Sequence, residues 1–408
     1  MKTFRFFVTR IFLRKPVLAV VVLVLILATD YIAFMVTRTL ASTSEGLEEV
    51  QHFNLPGIYI ANLDPDSPFN PGQMSEKSLQ DVYDRIQEKH TFGLFTDGYI
   101  ADVKNRQGVD VPVAYMNQTY SEINGFTVAE GTGISFDYDL DKSNTIPVLV
   151  GKGLADDYPL NTKFSVVDPG LNREVTYVVT GILTQNSSHS HLYVLDSKQY
   201  YNFSIIVPVT EQFIQQAHGA FKINGLMDLM LLDTSRPGAS ELGAYIEEKI
   251  NLKFNFSSQQ DNIDFYHEYF YSSMVFLMGV SLILVIVIIF LAVWGSLAAV
   301  RVMLPDFTIN LLVGLSYEKF QRLLVAYYAL LSLFALSALF AMVSYSRHDS
   351  WSTKVAFHIT YGPAGGLIQM DWIALLAAFL ANVLLVAIVV QSIVWRIKRV
   401  PISIGVLQ

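Results

Sequence analysis

Residues 274–300 carry no charged side chain, and within them runs Leu282-Ile283-Leu284-Val285-Ile286-Val287-Ile288-Ile289. A buried strand uses four to eight such residues, whereas crossing a bilayer as a helix takes about 20. Residues 323–343 form a second uncharged run, and a polar stretch of one helix plus a turn separates the two. Any soluble fold would have to hide both runs. A pair of membrane spans needs only to insert, at about −0.3 to −0.6 kcal/mol for each central Leu, Ile, Val or Phe.

Hydropathy adds residues 17–36 and 373–395 as the first and last of four spans, with 273–300 and 323–344 between them. Asp30 lies inside the first, where a carboxylate costs about 3 kcal/mol at a helix centre. Two readings account for it: a polar partner inside a helix bundle, or a carboxylate reaching the headgroups, and its place toward the outer end favours the second. The basic start (Lys2, Arg5, Arg10, Arg14, Lys15) resembles a signal peptide, but the apolar run spans a bilayer and no small-x-small site closes it, so an uncleaved anchor is expected. Residues 37–272 hold 15 basic and 31 acidic side chains, 15 − 31 = −16. The positive-inside rule therefore puts that segment outside. The N-terminus (1–16), the loop 301–322 and the tail 396–408, with Arg396, Lys398 and Arg399, belong in the cytoplasm. The expected fold is an integral membrane protein of four transmembrane helices. A large α+β extracytoplasmic domain (37–272) is inserted between the first and second, and 345–372 forms a second outer loop. The expected location is a bacterial cell membrane with both termini cytoplasmic.

Within 37–272, residues 37–51 extend the first helix as a stalk. Residues 75–89 form a helix with Leu79, Val82, Tyr83 and Ile86 on one face and Ser75 as its cap. Residues 94–103 and 109–115 are strands around the turn Asn105-Arg106-Gln107-Gly108. Strands are expected at 57–61, 146–151, 162–167, 174–183 and 221–232, helices at 210–218 and 240–250, and a second stalk at 261–272.

Several side-chain groups invite chemistry and decline it. Gly151-Lys152-Gly153 lacks the glycine and hydroxyl of a phosphate loop, so the chain binds no nucleotide itself. Ser188-His189-Ser190-His191 offers two imidazoles and no third ligand, which reads as a solvated loop. Asp137, Asp139 and Asp141 alternate but lack the glycine and closing glutamate of a calcium loop, and Asp156-Asp157 has no opposing acid. With no cysteine there is no disulfide and no thiolate site. No catalytic residue, metal site or cofactor is expected in this chain, and no nucleic-acid partner.

The order of parts resembles the MacB/FtsX-type permeases of type VII ABC transporters. Gly125-Phe126-Thr127-Val128-Ala129-Glu130-Gly131-Thr132-Gly133 is similar to that family's acidic-Gly-Arg segment, with Thr132 in place of arginine. Residues 146–151, Gly153-Leu154-Ala155, Thr162-Lys163-Phe164 and 177–183 resemble its strand–helix–turn–strand run, and Pro401 to Leu407 resembles its closing segment. Residues 305–316 stand where the family has its coupling helix. Asp306, Gly314 and Ser316 match, while the two basic positions are Pro305 and Leu311. The resemblance implies an ATPase-coupling set of Asp306, Phe307, Leu311, Gly314, Leu315 and Ser316. Pro305 would open a short helix; Phe307, Leu311 and Leu315 would share one face of it, which either packs on the chain's own spans or, as the resemblance favours, fills a groove in the ATPase. It implies a cytoplasmic ABC ATPase dimer carrying ATP and Mg, a second or paralogous permease, and an external peptide, lipid or protein partner. The implied activity is ATP-driven export of peptides, antimicrobials or lipids. Alternatives are FtsX-like control of a cell-wall hydrolase and a passive anchored binding protein.

Overall fold

The structure, a computed structural model, describes residues 2–10, 16–68, 74–190, 192, 198–227, 229–352 and 364–399. The chain forms two units. One, helical, comprises Met1–Ala41, Tyr271–Ser346 and Leu367–Gln408; the other comprises Ser42–Phe270 and Arg347–Gly366. Residues 347–352 and 364–366, expected as part of a separate outer loop, thus belong with the α+β unit. Gly365 N–H donates to Asn186 Oδ1 at 2.7 Å, and Trp351 packs on Phe203.

The helical unit holds α1 (Lys2–Arg10), most of α2 (Pro16–Val50), α9 (Ser272–Leu312), most of α10 (Tyr317–Ser352) and α11 (Gln369–Lys398). Among the described residues, four helices are long and apolar enough to cross a membrane. Their outer surface is apolar: Phe276, Leu282, Phe290, Leu333 and Leu376 are exposed. That pattern suits lipid and not water. One end of this unit is closed by a cluster of Phe7, Phe307, Phe320, Ile393 and Ile397.

The α+β unit carries β1 (Tyr59–Leu63), α3 (Glu76–Lys89), β2 (Thr91–Gly93), β3 (Phe95–Lys104), β4 (Asp110–Asn117), α4 (Gln118–Asn124), β5 (Val128–Gly131), β6 (Thr145–Val150), β7 (Lys163–Asp168), β8 (Arg173–Leu183), β9 (Ser188–Ser190), β10 (Lys198–Tyr200) and β11 (Ile205–Val209). There follow α5 (Glu211–Gln216), α6 (Gly219–Met227), β12 (Met230–Leu232), α7 (Arg236–Ile250), β13 (Phe254–Ser257) and α8 (Gln259–Tyr266). The larger sheet runs β3-β4-β11-β6-β8, with β5 and β7 both on the far side of β8; the smaller runs β13-β1-β12-β2. Strands β4 and β11 are parallel, as are β6 and β8. The central strands are apolar on both faces because both are covered. Ile146, Val148 and Val150 of β6 enter one core and Leu149 the other, as the two-residue strand period requires.

Two expectations are corrected here. Residues 221–232 are not one strand: α6 ends at Met227 and only Met230–Leu232 is a strand. Phe221, Lys222, Ile223, Gly225 and Leu226 are all buried, so burial on most sides of the helix hides its period. Residues 301–322 are not a free-standing helix. Helix α9 continues through Pro305 to Leu312, and α10 begins at Tyr317. Pro305 is therefore inside a helix and opens none. Its missing N–H leaves the Arg301 carbonyl without the usual i+4 donor.

Candidate functional site

The turn between α9 and α10 spans four residues, and two of the expected coupling residues make it. Gly314 has φ +108°, a conformation that favours glycine. Its N–H donates to the Leu311 carbonyl at 3.1 Å, and the Leu315 N–H donates to the Asn310 carbonyl at 3.0 Å. These are the paired bonds of a Schellman helix end. Ser316 then caps α10, accepting at Oγ from the Lys319 N–H at 3.3 Å. A Cβ at Gly314 would meet nothing within 4 Å. The glycine is needed for its backbone angle, not for close approach of another surface.

The expected docking face turns inward. Phe307 is fully buried, stacked on Phe7 with centroids 6.4 Å apart and edge-on to Phe320 at 4.9 Å. Leu311 and Leu315 pack half-buried against the same cluster. The Asp306 side chain lies outside the described ones. What the turn presents outward is Ile309, Leu312 and Val313, the last 84 % exposed. Sequence reasoning missed this set because it began a new helix at Pro305. Continued in phase from α9, the same residues fall at i, i+3 and i+4 on one face.

Asp30 resolves in favour of a polar partner. It is fully buried and accepts from Asn382 Nδ2 at 3.1 Å, joining α2 to α11. Eight residues along α2, Arg38 Nε pairs with Asp371 Oδ1 at 3.0 Å, and Asp371 Oδ2 also accepts from the Ile368 N–H at the start of α11. The same two helices are therefore clasped twice.

In the α+β unit, His189 is buried and not solvated. Phe126 lies 4.2 Å and Phe95 5.0 Å from it between ring centroids, and its Nδ1 lies 3.0 Å from Asn124 Nδ2 and 3.4 Å from Glu49 Oε1. Glu49, near the end of α2, also accepts from the N–H and hydroxyl of Ser190 at 2.9 and 2.7 Å. His191 and the tail 400–408 lie outside the described residues. Among the described residues no cluster could hold a metal. Asp139 and Asp141 are tied to Gln212, Gln216 and Lys142, Lys152 pairs with Glu130 at 2.8 Å, and Asp157 pairs with Arg106 at 2.6 Å.

A hollow of about 480 Å³ opens beside α4 and α5, lined by Gln87, His90, Phe92, Glu122, Phe136 and Glu211 among others. Burial, with Arg85 nearby, pushes the His90 imidazole below its ordinary value. The charge facing this hollow at neutral pH is consequently acidic, against aromatic walls, which suits a small cationic group on an apolar body.

No family model matches the sequence, and no curated protein sequence matches it. Among solved structures, the chain is similar to the periplasmic region of MacB from Actinobacillus actinomycetemcomitans: 11 % identity and TM-score 0.33 over 55 % of this chain and 98 % of that one. It is similar to the extracellular domain of the noncanonic ABC-type transporter YknZ from Gram-positive bacteria, at 10 % identity and TM-score 0.30 over 48 % and 99 %. A domain of a putative permease protein from Porphyromonas gingivalis is matched at 13 % identity and TM-score 0.29, over 51 % and 91 %.

Proposed function

We propose that the chain is the non-catalytic membrane subunit of an ATP-driven, MacB-like export system. A partner ATPase dimer carrying ATP and Mg supplies the work from the cytoplasm, and a second permease completes the transporter. The observation that carries this reading is the short, capped turn between α9 and α10. It joins two apolar helices of 41 and 36 residues and pushes Ile309, Leu312 and Val313 outward from its tip. A helix of that length is about 60 Å long and moves as a body when its end is displaced. A passive anchor needs no such turn. The outward apolar tip fits a hydrophobic groove on the ATPase, where burying each Leu or Val contributes about 1.5 to 3 kcal/mol. The exported class is peptides, antimicrobials or lipids, worked on at the α+β unit. The acid-rimmed hollow there supports a cationic, partly apolar cargo.

The test is co-purification of the full chain with its cognate ATPase. Leu312→Asp and Val313→Asp are expected to leave the chain inserted and monodisperse but to remove the ATPase. Leu311→Asp places a charge beside the Phe307 cluster and is expected to lower the yield of inserted chain instead. Unchanged binding and unchanged ATPase stimulation in both tip variants would remove the turn as the docking element.

A further inference from the structure

Two basic segments meet at the apolar cluster that closes the helical unit. Phe7 of α1 and Ile397 of α11 both enter that cluster, and Phe4 and Val8 pack half-buried against it. Phe4, Phe7 and Val8 fall at i, i+3 and i+4, so one face of α1 lies on the bundle. Arg5, Phe6 and Thr9 point away from it and are exposed, Phe6 by 50 %. In the sequence, Lys2 and Arg10 stand four residues on either side of Phe6. On α11, Arg396 and Lys398 flank the buried Ile397 and are exposed. Arg399, next in the chain, lies over the ring of Trp395, 3.6 Å from its centroid, and Trp395 is itself exposed.

The charge at this end is one-sided. Residues 1–16, 301–322 and 396–408 together hold 11 basic and 2 acidic side chains, 11 − 2 = +9. Arg5, Arg396 and Lys398 have no carboxylate partner among the described residues. Membrane orientation asks only for such a bias of charge. It does not ask for a helix laid against the bundle end, nor for a phenylalanine and a tryptophan left exposed among arginines. Basic side chains interleaved with exposed aromatic rings suit the headgroup layer, where the cations meet phosphate and the rings sit at the apolar boundary. The reach of the chain agrees. Five residues separate α1 from α2, about 20 Å at full extension. Helix α2 then starts the first span, with Val17, Val20 and Val21 exposed. The end of α1 therefore stays close to the membrane surface.

We propose that the outward face of α1 and the C-terminal end of α11 together bind anionic phospholipid headgroups. Arg5, Arg396 and Lys398 donate to lipid phosphates, and Phe6 and Trp395 enter the boundary beneath them. Phe7 on the other face of α1 is stacked on Phe307 of α9. Lipid bound to α1 thus holds it against the helix that leads into the α9–α10 turn. The inference rests on the reading of these helices as membrane spans and is independent of the ATPase partnership.

The chain has no cysteine, so Thr9→Cys carries a single fluorophore on the exposed side of α1. The experiment places this full chain in phosphatidylcholine nanodiscs with a small, equal share of headgroup nitroxide-labelled phosphatidylglycerol or phosphatidylcholine. The phosphatidylglycerol probe is expected to quench with at least about five-fold higher relative association, the effect of one basic residue near an anionic surface. Added salt is expected to weaken that preference. Arg5→Gln is expected to lower it about five-fold, and Arg396→Gln with Lys398→Gln to lower it further. Phe6→Ala is expected to reduce quenching by both probes. These side chains are exposed, so insertion should be kept, and a monodisperse preparation checks it. Equal quenching by the two probes in the Thr9→Cys chain would overturn the proposal. So would a preference that survives the Arg5 and the Arg396–Lys398 variants alike. A fluorophore that neither lipid quenches, and that is shielded only when ATPase is added, would give this face to the ATPase and overturn it too. Because the lipid arms contain no ATPase, their failure leaves the docking of the α9–α10 turn standing.

Discussion

Asp168 of the α+β unit and Asp30 of the helical unit are both fully buried, and the two are treated differently. Asp168, at the end of β7, is fully buried and fully engaged: its Oδ2 accepts from the Tyr177 hydroxyl at 2.5 Å and its Oδ1 from the Leu171 N–H at 2.7 Å. These bonds close the turn from β7 to β8, and the Tyr115 hydroxyl beside it accepts from the Gly170 N–H. Asp30, equally buried, has one amide partner and one oxygen with none among the described residues. In a water-surrounded unit, competition with solvent selects the fully satisfied carboxylate. Among membrane helices the unfolded reference has no water to return to, so a half-satisfied group persists where it does other work. The difference is one of role: the satisfied carboxylate closes a turn, and the half-satisfied one ties α2 to α11 through a single amide.

The largest effect expected from breaking this contrast is at Asp168. Asp168→Leu leaves the Tyr177 hydroxyl and the Leu171 N–H buried without an acceptor, a loss of about 3 kcal/mol. For a unit of this size that is about 10 °C in the melting temperature of the full chain in detergent. A melting temperature within a degree or two of the unaltered protein would mean that the turn does not depend on these bonds. Asp168→Asn sharpens the same point through pH. Burial raises the Asp168 pKa above the usual 3.8, with the bonds from Tyr177 and Leu171 opposing it. A raised folded value means that the stability this group contributes is complete below its unfolded pKa and is lost as pH rises through the folded one. The asparagine variant should therefore gain on the unaltered protein as melts are moved from acid to neutral pH. A gap that widens the other way would contradict the raised value.

A middle-sized effect is expected at Gly314. Placing leucine at φ +108° costs about 1 to 3 kcal/mol in backbone strain although the side chain meets no neighbour. Gly314→Leu should thus lower the melting temperature of the isolated chain before any ATPase is added. Gly314→Asn, more tolerant of positive φ, should recover part of it. A leucine variant that melts normally yet fails to bind ATPase would mean that another surface comes close to the glycine backbone.

How legible this was depended on whether one helix face or one strand face alone was buried. Leu79, Val82, Tyr83 and Ile86 announced α3, and Ser75 caps it as expected, accepting from the Ser78 N–H at 3.3 Å. The β3–β4 hairpin was equally plain, because Asn105 folds its turn by accepting from the Gln107 and Val109 N–H groups. Helix α6 was hidden by burial on most of its sides. His189 was hidden because its partners, Glu49, Asn124 and Phe95, are remote in sequence, and two imidazoles in a serine-rich stretch look solvated. At the α9–α10 turn, Gly314 and Ser316 serve the backbone itself, one at the positive φ that ends α9 and the other as the cap of α10. Proline commonly starts a helix, but here a long helix runs through Pro305, and its phase turns Ile309, Leu312 and Val313 outward in place of Phe307, Leu311 and Leu315.

The smallest effect is expected at the Asp30–Asn382 pair, and it bears most directly on the comparison. Hydrogen bonds between membrane helices contribute about 0.6 kcal/mol on average and up to about 1.7. Asn382→Leu alone removes Asp30's one amide partner and should destabilise the chain within that range. Asp30→Leu alone leaves the Asn382 amide unbonded and should cost a similar amount. In the double variant Asp30→Leu with Asn382→Leu, apolar contact replaces a half-satisfied polar pair, and the helical unit should be as stable as the unaltered one or more so. A double-mutant cycle on unfolding in mixed micelles reads the coupling directly. The expected signature is a double variant that keeps its fold and its ATPase binding, with a coupling energy that offsets most of the two single losses. A double variant clearly less stable than either single one would show that Asp30 and Asn382 hold the bundle together as Asp168 holds its turn, and the distinction between the two buried carboxylates would fall.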